Sequence, residues 1–471
     1  MAELAVTPDR GWQRYAGPEE QIGRLVGRAR IAQGAYEAFG QAKVDAIVRD
    51  FARYVHDNAP VLARRTVEET GYGVVEDKIA KCRGKSRMIW LSLKGRKSRG
   101  IVGEDKAAGL VLMAKPMGVV AAICPVTNPV VTPMCNAMFA LKAGNAIVFA
   151  PHPAAEGVTG MVVGAFRGIL KRHGAPEDLV LMVTEGSIDK TQALMRAADV
   201  VVATGGAEMV RSAYSSGKPS FGVGPGNVPV VIDRSADLAQ ACEKIVTGAS
   251  FDNGIICSHE EFVLVPRESY RDTIDQFLAT GKVWFSDDPD VVERLRRALF
   301  PEGRMNRDAV GKSPQVIGRL AGIEIPEGIR VIVVPAAGPG KADVLAREKM
   351  FPVVAILPYD SFDEAIAAAR ANLLVEGAGH TAAIHSEDEA HIRALGLALP
   401  ISRLVVNQPS ATAAGGAPTN GFAPTTTLGC GSWGGNSISE NLDFKHLMNL
   451  SRIGKVIKDR VLPAGDEIWA D

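Results

Sequence analysis

The sequence has few cysteines, and their spacing forms neither a disulfide framework nor a zinc site. Six cysteines occur in 471 residues, each standing singly and without a CxxC pair. Small secreted domains need a denser pattern, so we expect a protein of the reducing cytoplasm. The opening residues, MAELAVTPDRGW, contain no apolar core of a signal peptide and no amphipathic targeting helix. Neither secretion nor delivery into a protein-shelled compartment is predicted.

An excess of charge is also missing. Lys plus Arg (53) equals Asp plus Glu (53), which excludes a general nucleic-acid binder. The range 116–141 has no charged side chain and is long enough to span a bilayer. Four prolines interrupt it, and the backbone groups they leave unpaired would be costly in lipid. We therefore interpret this range as protein interior and expect no membrane partner.

Three common catalytic motifs are absent. No HExxH or GxSxG string occurs, and His380 and His385 are five apart on a predicted strand, so they point to opposite faces. We expect no metal. The nearest string to a dinucleotide fingerprint, Gly222–Asn227, precedes a strand instead of following one, so it cannot seat a pyrophosphate on a helix N-terminus.

What is present is an alternation of strands and helices in a chain long enough for two domains. The first hundred residues have apolar residues at helical spacing. From Leu110 onward, short apolar runs such as VVAAIC, NAIVFA and DVVVAT alternate with amphipathic segments, among them a predicted helix over about 131–142. A second series, with predicted strands such as EFVLV and PVVAILP, starts near Phe251. This order is typical of parallel sheets covered by helices on both faces. The class predicted is α/β, with a first domain over 1–250, a second over 251–440 and a tail over 441–471.

Several residues are chemical candidates on spacing alone. Cys257 follows a Gly-containing polar turn just before a strand, where a thiol can be reachable yet shielded from water. It is therefore a candidate nucleophile, and a structural cysteine is the alternative. The turns Ala150–His152 and Thr204–Gly206 offer backbone N–H groups at helix starts, and ordinary turns are the alternative. The range 410–440 is rich in Gly, Thr and Ser, a composition typical of a loop that forms a binding surface.

Several longer strings, taken together, resemble the aldehyde dehydrogenase superfamily and its coenzyme A-acylating branch, from about residue 20 to the C-terminus. They are PVTNP (125–129), LKAGNAIVFAPHP (141–153), VVATGG (201–206), GVGPGNVPVVID (222–233), SFDNGIICSHE (250–260), GHTAAIHS (379–386) and LGCGSWGGNSISENLDFKHLMN (428–449). The resemblance implies two doubly wound α/β domains with a small β arm, over about 99–118 plus the tail, that pairs subunits into a homodimer or homotetramer.

The resemblance also implies roles for individual residues. Cys257 matches the nucleophile and Asn128 the amide of the oxyanion hole, while His380 is a candidate for proton handling or a strand histidine satisfied by backbone. The cofactor-binding positions implied are Pro125, Val126, Thr127, Ala150, Pro151, His152, Thr204, Gly205, Gly206, Val223 and Glu348. Cys430, between glycines, is expected near the substrate mouth and not as a second nucleophile.

Two departures bear on the subfamily. Where hydrolytic members carry a water-activating glutamate, this chain reads Phe221-Gly222-Val223-Gly224-Pro225, so coenzyme A is expected to take the acyl group. Many relatives carry a lysine at the position of Ala150. Because this chain lacks that lysine, NAD and NADP both stay open as cofactors, and we place NADP first. His152 either replaces the lysine or merely caps backbone groups. A hydrolytic enzyme, an acyl-phosphate reductase and a non-catalytic assembly partner are the alternatives.

The expected substrate is an anionic aldehyde. The ending NSISENLDFKHLMNLSRI is similar to acylating enzymes for sulfoacetaldehyde or succinate semialdehyde, and we place sulfoacetaldehyde first, then succinate semialdehyde, acetaldehyde and propionaldehyde. An anion needs a donor-rich pocket. The linings predicted from proximity to the glycine-rich loop are Arg403, Asn407, Ser432 and Asn436.

Overall fold

The computed structural model describes residues 17–458 and 460–470, and the predictions for the first 16 residues lie outside this range. The chain begins with four helices: α1 (Pro18–Tyr36), α2 (Gln41–Asp57), α3 (Ala59–Thr70) and α4 (Val75–Leu93). Their apolar stripes are buried, as the spacing predicted; Ile22, Val26 and Ala29 lie on one face of α1. Helix α3 ends at Gly71, whose positive φ of 69° favours glycine.

A five-stranded parallel sheet follows. Its strands are β3 (Val119–Ile123), β4 (Ala146–Ala150), β5 (Val180–Met182), β6 (Val200–Thr204) and β7 (Ser220–Val223), in the order β5-β4-β3-β6-β7. The accompanying helices are α5 (Val131–Lys142), α6 (Glu156–Arg172), α7 (Ile188–Ala197) and α8 (Ala207–Tyr214). Helix α5 has the predicted bounds. Strand β7 was not predicted, because four residues are too few to show a period.

A second parallel sheet has seven strands in the order β10-β11-β12-β9-β8-β13-β14. They are β8 (Val228–Ile232), β9 (Glu260–Pro266), β10 (Val283–Phe285), β11 (Val331–Pro335), β12 (Val353–Tyr359), β13 (Gly379–His385) and β14 (Ile401–Val406). The helices are α9 (Leu238–Ser250), α10 (Tyr270–Ala279), α11 (Pro289–Leu299), α12 (Pro314–Ala321), α13 (Phe362–Val375), α14 (Glu389–Ala398) and α15 (Ser410–Ala413). Strand β8 and helix α9 thus belong with the second sheet, although the predicted boundary at residue 250 assigned them to the first domain.

A small antiparallel sheet completes the fold. Strands β1 (Ile101–Asp105), β2 (Leu110–Pro116) and β15 (Met448–Gly454) pair in the order β1-β2-β15. The predicted arm over about 99–118 therefore forms, and the C-terminal range supplies its third strand. Six of the seven residues of β15 are exposed, so this sheet has little cover from the rest of the chain.

The two parallel sheets are joined by a short link, residues 224–227, that runs from the carboxyl end of β7 to the amino end of β8. The carboxyl edge of the first sheet and the amino edge of the second therefore meet at this link. Gly226 packs so tightly there that a Cβ would lie 1.6 Å from the carbonyl oxygen of Cys257. Across residues 17–458 and 460–470, every helix is too short or too polar to cross a membrane.

Candidate active site

Except for Glu348, the predicted cofactor residues converge on one edge of the five-stranded sheet. Pro125, Val126 and Thr127 follow β3, the turn 150–152 ends β4, the turn 204–206 ends β6, and Val223 ends β7. Strands β4, β3, β6 and β7 are neighbours, and the chain leaves β3 toward β4 and returns at β6 on the other side. Ligands of doubly wound sheets bind at such a switch point, outside the carboxyl ends of the strands.

The backbone at this edge is shaped for a phosphate group. Gly206 is the N-cap of α8, and a Cβ there would meet no atom within 4 Å. A Cβ at Gly205 would touch only Met209, at 3.8 Å. Free N–H groups at a helix start attract anions, so this turn fits the pyrophosphate of a dinucleotide. His152 Nδ1 accepts a hydrogen bond from the backbone N–H of Ala154 at 3.2 Å, which is the capping alternative.

Cys257 lies on a turn held in an unusual conformation. Asp252 and Asn253, just before it, have left-handed backbone angles (φ 55° and 54°). The buried carboxylate of Asp252 accepts hydrogen bonds from the N–H of Val74 (2.9 Å) and from Lys78 Nζ (3.0 Å), which anchors the turn to the N-terminal helices. Cys257 as a whole residue is partly exposed.

That exposure is toward a cavity of about 340 Å³. The cavity is lined by Ala80, Lys81, Gly84, Lys85, Met88, Asn128, Val131, Phe251, Ile256, Cys257, Ser258, Ala411, Thr412, Gly415, Gly416, Ala417, Pro418, Thr425, Thr426 and Leu428. The structure therefore brings Cys257 and Asn128 to one cavity, with part of the glycine-rich loop as its far wall. Within 17–458 and 460–470, no carboxylate lines it.

The thiol is protonated in the free chain at neutral pH. Burial raises the pKa of Cys257 to about 12, Glu348 and Cys430 add to the rise, and Arg403 opposes it. Positive charge near the thiol, which a reactive cysteine needs, is thus outweighed by burial. A thiol of this kind becomes nucleophilic only when the filled site stabilises its anion or removes its proton.

Glu348 lies just behind the nucleophile. Its Oε1 accepts a hydrogen bond from the N–H of Gly226 at 2.8 Å, in the same link that packs on Cys257. Burial raises the pKa of Glu348 to about 8, and Glu376 adds to this. A protonated carboxyl is a poor base, and Glu348 does not line the cavity that holds the thiol.

His380 is placed away from that cavity. It is fully buried at the amino end of β13, and its Nδ1 lies 3.0 Å from Thr381 Oγ1. Burial, with a contribution from Arg403, holds the pKa of His380 well below its usual range. The imidazole is therefore neutral, which removes proton donation by an imidazolium from its candidate roles.

None of the four predicted substrate linings is among the residues that line this cavity. The guanidinium of Arg403 is buried and donates to the carbonyl oxygens of Gly429 (2.9 Å) and His380 (2.8 Å). It supports the glycine-rich loop instead of facing the substrate. Proximity in sequence to that loop did not indicate which side of it a residue faces.

The other three are also used elsewhere. Asn407 clamps the end of β13, accepting from the N–H of Ser386 and donating to its carbonyl oxygen. Asn436 closes its own loop through the N–H of Cys430 and the carbonyl of Gly434. Ser432 is exposed. The buried Cys430 borders a second cavity of about 230 Å³ behind the link.

Two cavity residues were missed by sequence reasoning. Lys81 and Lys85 lie one turn apart on α4, so both project from the same face of the helix into the cavity. Lys81 Nζ donates to Asn128 Oδ1 at 2.8 Å, and Lys85 Nζ donates to the carbonyl oxygen of Gly415 at 2.6 Å. The i, i+4 spacing was visible in KCRGK, but nothing local connects α4 with Cys257.

Comparison with known proteins agrees with this geometry. The family model described as "Aldehyde dehydrogenase family" matches residues 7–292, more than half of the chain. The sequence is 51% identical over 451 residues to a succinate-semialdehyde dehydrogenase (acetylating) from Clostridium kluyveri, covering 96% of this chain and 99% of that protein. It is 37% identical over 448 residues to a sulfoacetaldehyde dehydrogenase from Acholeplasma sp, covering 94% and 92%. The chain belongs to the aldehyde dehydrogenase family.

Solved structures define the branch. An acetylating aldehyde dehydrogenase from Geobacillus thermoglucosidasius superposes with a TM-score of 0.91 at 36% identity, covering 98% of this chain and all (100%) of that one. A propionaldehyde dehydrogenase from Rhodopseudomonas palustris, solved with bound CoA and an acylated cysteine, has a TM-score of 0.82 at 27% identity, covering 92% and 97%. An engineered glycolyl-CoA reductase with bound NADP⁺ has the same score, 0.82, and 27% identity, covering 93% and 98%. The predicted fold and the resemblance to acylating members are confirmed, and the chain is an oxidoreductase that acts on aldehydes.

Proposed function

We propose that this chain oxidises an anionic aldehyde to its acyl-CoA, with succinate semialdehyde as the preferred substrate. One observation carries the proposal: the cavity that holds Cys257 and Asn128 also holds the ammonium of Lys85. A cation in a small cavity selects substrates with a negative group at the end remote from the aldehyde.

Lys85 is suited to hold a carboxylate. Its only hydrogen bond is to the carbonyl oxygen of Gly415, which occupies one of its three donors, and within the described residues it forms no ion pair. Burial lowers the pKa of Lys85 to about 8, and the thiols of Cys135 and Cys257 oppose this. The ammonium is therefore charged at neutral pH but incompletely compensated, so an anionic ligand would stabilise it.

The choice between two anionic aldehydes rests on similarity. The succinate-semialdehyde relative is 51% identical and matches along almost its whole length, whereas the sulfoacetaldehyde relative is 37% identical. We therefore place succinate semialdehyde before sulfoacetaldehyde, which reverses the order expected from the sequence.

The proposed chemistry begins at Cys257. The Cys257 thiol gives up its proton to solvent and its sulfur bonds to the aldehyde carbon. The carbonyl electron pair moves to oxygen, and the Asn128 amide donates to this oxyanion. A nicotinamide cofactor held at the carboxyl edge of the five-stranded sheet would supply the acceptor for the hydride that the tetrahedral carbon loses as the oxyanion returns to a carbonyl. The acyl group is then a thioester on Cys257, and the CoA thiolate attacks its carbonyl carbon and displaces the Cys257 thiolate. The missing lysine at position 150 leaves NAD and NADP both open, and we place NADP first because a related structure contains it.

Release to CoA instead of water follows from the cavity wall. Among the described residues no carboxylate lines the cavity, so the glutamate type of general base, which usually contributes ~10²–10⁴-fold to attack by water, is missing. A thiol ionises far more readily and needs less help. We thus expect free acid to form only slowly without CoA.

An activity panel tests this function. Reduced nicotinamide is followed by absorbance with succinate semialdehyde, sulfoacetaldehyde, propionaldehyde and acetaldehyde, each with and without CoA and with each cofactor. We expect CoA-dependent multiple turnover and the highest kcat/KM for succinate semialdehyde. Rapid turnover without CoA would establish the hydrolytic alternative, phosphate-dependent turnover an acyl-phosphate reductase, and no turnover with any aldehyde a non-catalytic partner.

We also propose that the small antiparallel sheet pairs subunits into a homodimer or homotetramer. Both β1 and β15 are edge strands, and Ile101 (59% exposed) and Ile453 (45% exposed) present apolar side chains to solvent. Exposed edges of this kind are normally covered. Sedimentation of the full chain at micromolar concentration should show no stable monomer; a monomer alone would refute the proposal.

A further inference from the structure

Lys81 occupies the space between the nucleophile turn and the oxyanion amide. Its Nζ donates to Asn128 Oδ1 at 2.8 Å and to Asp252 Oδ2 at 2.5 Å, and its side chain is only 8% exposed. Asp252 is 171 residues away in the chain and five residues before Cys257. One ammonium therefore ties both halves of the reaction centre together.

The contact with Lys81 determines which way the Asn128 amide faces. An ammonium has only donors, so the atom that it contacts must be the amide oxygen. The amide nitrogen then lies on the other branch, where its one hydrogen bond is a long one, 3.3 Å, to the hydroxyl of Thr127. Asn128 lines the same cavity as Cys257, and Lys81 engages only its oxygen, which leaves the NH₂ group able to donate to the oxyanion that forms on the aldehyde oxygen when the thiol adds.

Asp252 in turn determines where the ammonium lies. Although burial alone would raise the pKa of Asp252, Lys81 and Lys78 hold it below its usual range, so the carboxylate is charged. It is completely buried and also accepts from the N–H of Val74. Its left-handed backbone is anchored by a hydrogen bond from its own N–H to Asp77 Oδ2 at 2.9 Å. Lys81 is thus held by a rigid partner.

We propose that Lys81 is a positioning residue for the reaction: held by Asp252, it fixes the Asn128 amide with its NH₂ group toward the oxyanion. The inference rests on the proposed roles of Cys257 and Asn128, and it separates the two cavity lysines. Lys81 is neutralised by Asp252 and serves the reaction centre, whereas Lys85 has no carboxylate partner among the described residues and serves the substrate.

Chain geometry provides a matched control. Lys78 lies on the same helix, is equally buried (6% exposed) and binds the same Asp252 oxygen, but it forms no hydrogen bond to Asn128. Lys78→Met and Lys81→Met therefore both remove a buried ion pair, and only the second releases the amide. A merely structural role would make the two variants alike.

The test measures kcat and KM for the preferred aldehyde in Lys81→Met, Lys78→Met, Asn128→Ala and the double variant Lys81→Met/Asn128→Ala. We expect Lys81→Met to lower kcat by roughly 10- to 100-fold with KM changed by less than about 2-fold, because one oxyanion donor is worth ~10²–10³ and misorientation loses part of it. Lys78→Met should lower kcat by less than about 3-fold, and Lys81→Arg should restore most of the activity. In the Asn128→Ala background, Lys81→Met should lower kcat by less than about 3-fold more.

Three outcomes would overturn the inference: effects of Lys81→Met and Asn128→Ala that multiply, an equal loss in Lys78→Met, or an unchanged kcat in Lys81→Met. If Asn128→Ala itself retains full kcat, the proposed oxyanion role has failed instead, which is a separate result. If Lys81→Met does not accumulate as folded protein, Asp252→Asn replaces it, because this change removes the carboxylate charge that holds Lys81 and keeps the side-chain shape. Its kcat is then measured alone and together with Asn128→Ala, and the two effects should again not multiply.

Discussion

Replacing Lys85 with methionine should change which aldehydes the enzyme prefers. Methionine keeps the length and apolar volume of the side chain but removes the ammonium. A hydrogen bond to a charged group contributes about 1.5–3 kcal/mol. The kcat/KM for succinate semialdehyde should therefore fall roughly 10- to 150-fold, while that for propionaldehyde, which has no charge to lose, should change by less than about 3-fold.

The pH dependence supplies a second readout with a definite sign. Burial lowers the pKa of Lys85 to about 8, so the ammonium is present below that value and is lost as the pH rises through it. The ratio of kcat/KM for succinate semialdehyde to that for propionaldehyde should be constant up to about pH 7 and should fall above about pH 8, because kcat/KM reports groups of the free enzyme. Using the ratio cancels the ionisation of Cys257 and CoA.

Stability serves as the control. The lowered pKa means that the folded chain disfavours the charged form of Lys85, so its removal should not lower the melting temperature appreciably. Arg83→Met, at an exposed position on the same helix, should leave both substrates unaffected. The reasoning is refuted if Lys85→Met lowers kcat/KM for both aldehydes equally, or if the ratio in the unaltered enzyme does not change between about pH 7 and about pH 9.5.

Three further predictions concern the reaction centre. Cys257→Ala should abolish acyl-CoA formation while cofactor binding, followed by fluorescence titration, survives; retained turnover would disprove the assignment. Asn128→Ala should lower kcat by ~10²–10³, measured at saturating substrate, and an unchanged kcat would exclude it as an oxyanion donor. Gly226→Ala should lower the free energy of unfolding by about 1–3 kcal/mol or more and suppress turnover, because a Cβ there meets the Cys257 carbonyl. Gly224→Ala, where a Cβ meets open space, should change the free energy of unfolding by less than about 1 kcal/mol. Similar melting curves for the two variants would contradict this packing.

Much of the fold was predictable because it depends on local pattern. The apolar runs that predicted β3, β4, β6, β9 and β12 are buried strands, and helix α5 has the predicted bounds. Two strands were missed: β7 has four residues and β10 has three. They are strands because they pair with a neighbouring strand, and their own sequences are too short to show it. The place of β8 in the second sheet is likewise decided by its partners, β9 and β13.

The candidate site shows the same division. Cys257 and Asn128 were found because each stands in a long string shared with a family, and the cofactor turns because parallel strands end together. The predicted substrate linings, Arg403, Asn407, Ser432 and Asn436, do not line the cavity that holds Cys257, because closeness along the chain does not show which way a side chain points. Each of the three that are not exposed uses its polar groups on the backbone of neighbouring loops.

The amino-acid sequence by itself determined most of the succession of helices and strands, the choice of Cys257 as the candidate nucleophile and the absence of an acid in the range 221–225, since all of these are written in residue types at short range. Only the tertiary structure decided which charges face the thiol. Lys81 and Asp252 are 171 residues apart, and their contact depends on how the N-terminal helices pack against the turn before β9. Burial then sets the ionisation of Cys257, Glu348 and Lys85, because a charge is costly wherever water is excluded, and no local pattern records that exclusion.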